Sequence, residues 1–190
     1  MLIRETEQIE LKEIFVPEIK KEVVAFANSD GGTIYIGVSY DGQFVGLDDS
    51  DFTMQQASNA IRDGISPDVT LFTQLSFVGE EGKTAVKITV SRGTKRPYYL
   101  RDKGMKPSGV YVRQGTSSVP ASEDAIRRMI KETDGDAFED NRSLQQDLTF
   151  SYTEKEMSER KIEFGQMQQK NIGIVTGEGI YTNLGLLISD

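Results

Sequence analysis

The chain has 190 residues, a formal net charge of −8, 37% hydrophobic and 27% charged residues, a composition typical of one folded core with room for a small appended domain. It contains no Cys and no His, which excludes a thiol nucleophile, a Ser-His-Asp triad and a zinc site of the usual ligands. No apolar run approaches the length of a membrane span, and the start MLIRETEQIE lacks the pattern of a signal peptide. We therefore expect a cytoplasmic protein.

The first part of the chain predicts a strand, a helix, a glycine turn and a second strand in close succession. The alternation in IELK predicts a short strand, and the apolar spacing over residues 17–27 predicts an amphipathic helix. Residues 28–32, NSDGG, are of the types that end a helix, although their backbone amides could instead cradle an anion. Residues 33–38 alternate as a buried strand does, and Asp41-Gly42 predicts a tight hairpin turn.

The middle of the chain predicts a helix followed by a β-hairpin. Cap-forming residues at 48–51 predict a second helix that ends near residue 63, and residues 71–78 and 84–90 predict two strands. The stretch FVGEEGKT between them nearly matches the phosphate-binding loop G-x-x-x-x-G-K-[ST]. However, Phe77 stands in place of the first glycine, and a strand follows where that loop requires a helix. We therefore predict a hairpin turn without a nucleotide site.

A strand, a loop and a helix are predicted next. Residues 110–113 predict a strand, and the Gly, Ser and Thr residues of 114–118 predict a loop. Ser122 can cap a helix that buries Ile126 and Met129 while its basic side chains face outward.

The alternation of periodic and polar segments predicts three regions: a main domain over residues 1–132, an acidic linker over 133–148, and the start of a following region over 149–190. The last region predicts two short helices and a hairpin, an outline that a winged-helix fragment shares with ordinary linkers. Its apolar run at 184–188 has no evident packing partner, which predicts a chain cut from a longer protein. The predicted fold class is α+β, a mixed β-sheet with flanking helices plus a small helical and hairpin C-terminal extension.

Positive charge is concentrated in one segment of this acidic chain. Residues 92–131 contain three acidic residues against ten basic ones, which are Arg92, Lys95, Arg96, Arg101, Lys103, Lys106, Arg113, Arg127, Arg128 and Lys131. Such asymmetry predicts one electropositive surface on an otherwise acidic body, the alternative being a local drift of composition without function.

Within this segment, cations alternate with aromatic and hydroxyl side chains, as phosphate contact and base stacking require. The predicted nucleic-acid-binding residues are Arg92, Lys95, Arg96 and Arg113 as phosphate contacts, Tyr98 and Tyr99 as stacking partners, and Thr116 and Ser117 as hydroxyl donors. A sheet edge with ordinary tyrosines is the structural alternative.

Three carboxylates suggest a different chemistry. Glu5 and Glu10 flank a short extended segment, and Asp41 is a candidate third carboxylate across the sheet. Three convergent acidic side chains can hold a divalent metal for phosphodiester cleavage, whereas such charges more commonly form a solvated face.

Several sequence blocks in a fixed order resemble a known family. IELK, AFANSDGGTIYIGV, DGQFVGL, the dipeptide Arg96-Pro97 and GVYVRQGTSSVPAS resemble the Schlafen-type AlbA-like domain between about Glu5 and Ile130. That domain is described as a DNA-binding domain of bacterial transcriptional regulators, and earlier as a divergent AAA-type ATPase domain. The resemblance implies an α+β fold, and the tail resembles the connection into an ATPase-like region.

The resemblance also implies two roles. The first is a non-enzymatic nucleic-acid-binding domain of a multidomain bacterial transcriptional regulator, with no cofactor, with DNA as the preferred partner, no membrane, and homo-oligomerisation left open. The second is a Schlafen-type endoribonuclease dependent on Mg²⁺ or Mn²⁺, in which Glu5 and Glu10 match the two family glutamates in spacing. Asp41 stands one residue beyond the family aspartate, at whose place the chain has Ser39-Tyr40. A protein-interaction module for an acidic partner is a third alternative.

Overall fold

A computed structural model of the protein describes residues 2–135 and 137–190. The chain divides into two compact units, Met1–Thr133 and Asp134–Asp190. The first unit contains β1 (Ile9–Lys12), α1 (Ile19–Asn28), β2 (Gly32–Ile36), α2 (Ser50–Gly64), β3 (Ile65–Ser66), a 3-10 turn (Thr70–Phe72), β4 (Thr73–Glu80), β5 (Lys83–Val90), β6 (Tyr99–Leu100), β7 (Tyr111–Gln114), β8 (Ser117–Pro120) and, at the boundary, α3 (Glu123–Asp134). The predicted α+β class is confirmed.

A four-stranded mixed sheet forms the centre of the first unit. Its strand order is β1-β2-β5-β4, with β1 parallel to β2 and the other pairs antiparallel. Ile34 lies opposite Ile88 and packs with α1 and α2 residues in one core, where each fully buried aliphatic side chain contributes about 1.5–3 kcal/mol. Two smaller antiparallel pairs, β3-β6 and β7-β8, complete the unit, and α1 contacts β7 and β8.

The NSDGG stretch ends α1, as predicted. Gly31 has φ +81°, and its N–H donates to the Phe26 carbonyl, which closes the last turn of the helix. A Cβ on Gly32 would stand 2.2 Å from the Phe26 ring, so the chain can enter β2 only through a residue without a side chain. These glycines therefore shape the backbone at the join of α1 and β2.

The hairpin between β4 and β5 is also confirmed, with Glu81 and Gly82 at positive φ in its turn. In contrast, the predicted loop over 114–118 is wrong at both ends, because Gln114 still belongs to β7 and pairs with Ser117, which already begins β8. A two-residue turn, Gly115-Thr116, replaces the longer loop; the Gly, Ser and Thr composition did not distinguish the two.

The second unit contains a 3-10 turn (Phe138–Asp140), α4 (Ser151–Glu159), α5 (Gln166–Asn171) and α6 (Asn183–Ile188). A bridge between Val175 and Tyr181 forms the expected hairpin, and the buried Phe150 contacts Tyr181. The apolar run at 184–188 forms most of α6 and contacts the 3-10 turn.

The segment predicted as a linker, 133–148, differs from that prediction, with Asp136 outside the described residues. The Gln146 amide donates to the Tyr181 carbonyl and accepts from the Tyr181 N–H, and the Asn183 amide donates to the Phe138 carbonyl. Gln146, a polar residue of this segment, thus bonds the backbone of the hairpin instead of being solvated. Among the helices of the described residues, none has the length and apolar character needed to cross a membrane.

Candidate nucleic-acid interface

The basic loop at residues 91–97 is fixed against the end of α3. Arg96 Nη2 lies 2.7 Å from Glu132 Oε2, and the Thr133 hydroxyl donates to the Arg96 carbonyl. Arg128 lies four residues before Glu132 and three before Lys131, so these side chains share one side of α3. The contact of Glu132 with Arg96 therefore brings the basic side of α3 next to the loop.

Only some of the basic side chains of the loop and of α3 form ion pairs. Arg92 Nη1 lies 2.6 Å from Asp30 Oδ1, with 49% of the arginine side chain exposed, whereas Arg96 keeps only 13% of its side chain exposed. Lys95, Arg128 and Lys131 are exposed and have no ion pair within residues 2–135 and 137–190. We call Arg92, Lys95, Arg96, Arg128 and Lys131 the basic surface.

Tyr98 lies beneath this surface and presents no ring face for a base. Its side chain is 0% exposed, and its ring contacts Phe72 edge to face with centroids 6.1 Å apart. The Lys95 N–H donates to its hydroxyl at 3.4 Å, and a Cβ on Gly93 would meet its ring at 2.1 Å. Burial raises the pKa of the Tyr98 phenol. The placement corrects the predicted stacking role, since Tyr98 supports the loop from inside.

The other predicted contacts, Tyr99, Thr116 and Ser117, also differ in how far they are exposed. Tyr99 is half-buried and packs against the α3 cluster that contains Val110 and Ile126. Thr116 and Ser117 are exposed in the β7-β8 turn, so their hydroxyls are accessible. No contact of theirs with the basic surface is seen among the described residues.

Arg113 is an internal residue, which corrects its predicted contact with phosphate. Its side chain is 1% exposed, and Nη1 lies 2.9 Å from Glu10 Oε2 and 3.3 Å from Glu22 Oε2. The Ser118 hydroxyl also donates to Glu22 and accepts from Nη1. We call Arg113, Glu10, Glu22 and Ser118 the arginine cluster.

The other two nitrogen atoms of the Arg113 guanidinium also donate hydrogen bonds. Nε donates to the Glu7 carbonyl at 3.2 Å and Nη2 to the Thr6 carbonyl at 3.1 Å, while the guanidinium carbon lies 4.7 Å from the Phe26 ring centroid. Planar guanidinium donors suit such a set of acceptors. Arg113 thus joins the N-terminal segment, α1 and the β7-β8 hairpin.

Asn28 makes a second internal connection that sequence reasoning missed. Its amide nitrogen donates to the carbonyls of Tyr98 and Tyr111, both at 2.9 Å, and its amide oxygen accepts from the Tyr98 N–H at 2.7 Å. The next residue, Ser29, accepts from the Arg113 N–H. The two most distinctive blocks, AFANSDGG and YVRQGTSS, therefore contact each other inside the fold.

One sequence signal could have indicated the arginine cluster. Glu22 lies on the same side of α1 as Ile19, Val23 and Phe26, where a carboxylate requires a buried partner. Nothing local identifies Arg113 as that partner, because 91 residues separate the two.

The three candidate catalytic carboxylates have different surroundings. Glu10 is buried with Arg113, and its Oε1 lies 2.5 Å from Lys12 Nζ. Glu5 accepts a hydrogen bond from the Leu11 N–H. Asp41 is exposed and accepts a hydrogen bond from the Ser39 hydroxyl. Within the described part of the chain, no group of three such side chains could hold a metal ion. The nuclease alternative therefore stays a prediction from the resemblance.

Comparison with protein families identifies the chain. The model of the family described as Schlafen, AlbA_2 matches residues 5–122, which is more than half of the chain. The chain belongs to this family, and the resemblance inferred from the sequence blocks is confirmed.

Two solved structures are similar to the chain. The first is the DIP2311 protein from Corynebacterium diphtheriae, with 16% identity and a TM-score of 0.49 over 95% of this chain, which spans only 35% of that protein's chain. The second is the N-terminal domain of a RecG-related protein from Nitrosomonas europaea, with 24% identity, a TM-score of 0.42, and coverage of 58% of this chain and 78% of that one. Comparison with curated proteins finds no match.

Proposed function

We propose that the first unit is a non-enzymatic nucleic-acid-binding domain, with DNA as its preferred partner, of a multidomain bacterial transcriptional regulator. The observation that carries the proposal is the basic surface, where Lys95, Arg128 and Lys131 are exposed and unpaired among the described residues. Exposed cations next to one another on an acidic protein attract a polyanion locally. Membership of the Schlafen, AlbA_2 family is consistent with this role.

The arrangement favours contact with the phosphate backbone over reading of bases. Arg92 and Arg96 are held by Asp30 and Glu132, which fixes the loop that presents Lys95. Tyr98 is buried beneath it, so base stacking by this residue is not available. Phosphate contacts position a protein on nucleic acid but carry no direct sequence information. We therefore expect weak dependence on sequence and strong dependence on salt.

The test is the affinity for a labelled DNA duplex, measured by fluorescence anisotropy between 50 and 200 mM salt. If the three unpaired cations each contact one phosphate, the slope of log affinity against log salt is about −2.7, which is about 40-fold across this range. Lys95→Ala should reduce the slope by about 0.9. Lys83→Ala is the matched control, because Lys83 is exposed at the start of β5. This strand spans roughly 23 Å from Lys83 to Val90, and the basic loop follows Val90.

Salt-independent affinity, or no binding to duplex DNA or an RNA hairpin, would reject the proposal. Competition of bound DNA by an acidic peptide at equal charge would instead favour the protein-interaction alternative. For the nuclease alternative, structured RNA with Mn²⁺ should be compared between the wild type and Asp41→Asn. Asp41 is exposed, so this change leaves the arginine cluster intact, which a Glu10 variant does not.

A further inference from the structure

A cleft of about 320 Å³ lies beside the start of α1, where none of the predicted contacts falls. Lys20 and Lys21 of α1 line one side, and Leu100, Lys103 and Tyr111 line the other. The cleft lies entirely within the first unit. Three ammonium groups, an aromatic ring and an apolar wall therefore surround one concave space.

Packing holds these lysines in place. The Lys20 stem lies against Gly64, where an added Cβ would be 2.3 Å from its Cδ, and the Lys21 ammonium lies 5.3 Å from the Tyr111 ring centroid. Lys103 packs its Cβ against Gly109, 3.0 Å from an added Cβ there. Because the Lys20 stem and the Lys21 ammonium have packing partners, these two lysines lose less conformational freedom on binding an anion than free surface lysines would, whereas Lys103 is exposed.

None of the three lysines of the cleft forms an ion pair within the described residues. Glu18 and Asp102 also line the cleft, but neither forms an ion pair with a lysine within residues 2–135 and 137–190. Arg101 and Lys106, in the same turn as Lys103, add further positive charge. Compact ammonium groups beside free space suit the oxygens of a phosphate.

We propose that this lysine cleft binds a backbone phosphate of the nucleic acid, at a second position away from the basic surface. The inference rests on the proposed function, because it assigns a further part of the same ligand. The basic loop contacts the last residues of α1, with the Gly93 N–H donating to the Ala27 carbonyl, whereas the cleft lies at the first residues. The ten residues of α1 span about 15 Å, or roughly four base-pair steps of a duplex.

The test compares the wild type with the double variant Lys20→Gln/Lys103→Gln, which keeps most of each stem and removes both charges. We expect the salt slope for duplex DNA to fall by about 0.9, because one phosphate contact is lost, with an unchanged thermal midpoint as the folding control. An unchanged slope in a variant that still binds DNA would overturn the cleft but leave the proposed function standing.

A second test removes the negative charge of Asp102, one of the two acidic residues that line the cleft. Asp102→Asn should tighten DNA binding, by up to about fivefold at low salt, because it removes a repulsive charge. Weaker binding in Asp102→Asn would overturn the proposal, because it would mean that this carboxylate does not repel a phosphate in the cleft.

If the wild type binds no nucleic acid, the proposed function fails, and inorganic pyrophosphate then tests the cleft alone. Shifts of the Tyr111 ring resonances by NMR that vanish in Lys20→Gln/Lys103→Gln would assign the cleft to a free phosphate compound, contradicting the backbone-phosphate proposal but retaining an anion site. The absence of such shifts would reject phosphate binding altogether.

Discussion

Arg113 and Lys95 belong to the same basic segment, yet the fold buries the first among two carboxylates and exposes the second without an ion pair among the described residues. The arginine cluster uses positive charge to join three parts of the chain. The basic surface instead leaves charge available to a partner. Burial and pairing, rather than residue type, therefore separate the structural cations of this protein from the candidate binding ones.

The largest expected effect is on stability, from Arg113→Ala. Removing this side chain leaves Glu22 buried without an ion-pair partner and Glu10 paired with Lys12 alone, and breaking a buried ion pair costs about 3–5 kcal/mol. Urea denaturation measures the change in the free energy of unfolding. Arg113→Lys should also be destabilising, because one ammonium cannot replace the planar donors. A loss below about 1 kcal/mol in both variants would contradict the assigned role.

The next effect is expected from Asn28→Ala. The variant removes the donor to two backbone carbonyls and the acceptor of the Tyr98 N–H, and leaving such buried groups unpaired costs about 1–3 kcal/mol. Asn59→Ala is the control, since that side chain is exposed and should change stability by less than about 0.5 kcal/mol. Equal urea midpoints for the two variants would refute the connection through Asn28.

A smaller effect, an increase in DNA affinity, is expected from Glu132→Gln. The change frees Arg96 from its ion pair, so DNA affinity should rise a few-fold at low salt. Stability should fall by no more than about 1 kcal/mol, because Glu132 is partly exposed. Anisotropy at 50 mM salt checks the affinity, and weaker binding would mean that the Arg96 charge does not face the ligand.

The smallest effect is expected from Tyr98→Phe. The change removes the acceptor of a long 3.4 Å hydrogen bond from the Lys95 N–H and of an interaction with the Thr94 N–H, so stability should fall by less than about 1 kcal/mol. DNA affinity should stay the same, because the ring supports the loop from inside. A large loss of affinity with unchanged stability would show that the hydroxyl contacts the ligand.

Much of the fold could be predicted because its signals are local. The apolar alternation of β2, the glycine turn after Asn28 and the turn between β4 and β5 each lie within a few residues, and each prediction is confirmed. The segment 133–148 was harder, because its polar residues bond the backbone of a distant hairpin. Composition alone cannot distinguish such residues from solvated ones.

The site was less predictable because burial there depends on distant partners. Tyr98 and Tyr99 are neighbours of the same residue type, and Tyr98 is the buried one because it packs into the main core, with its ring against Phe72. Arg113 resembles the other arginines of its segment until Glu10 and Glu22 approach it from 91 or more residues away. The sequence indicated where positive charge is concentrated, and long-range contacts determine which charges are exposed.

The central claim is tested most directly by the salt dependence of DNA affinity in the triple variant Lys95→Ala/Arg128→Ala/Lys131→Ala. A charge-matched control, Arg4→Ala/Lys83→Ala/Lys155→Ala, removes three exposed cations outside the basic surface. The slope of log affinity against log salt should fall by about 2.7 in the first variant and stay near the wild-type value in the control. Equal slopes in the two variants would contradict the assignment of the basic surface as the nucleic-acid interface.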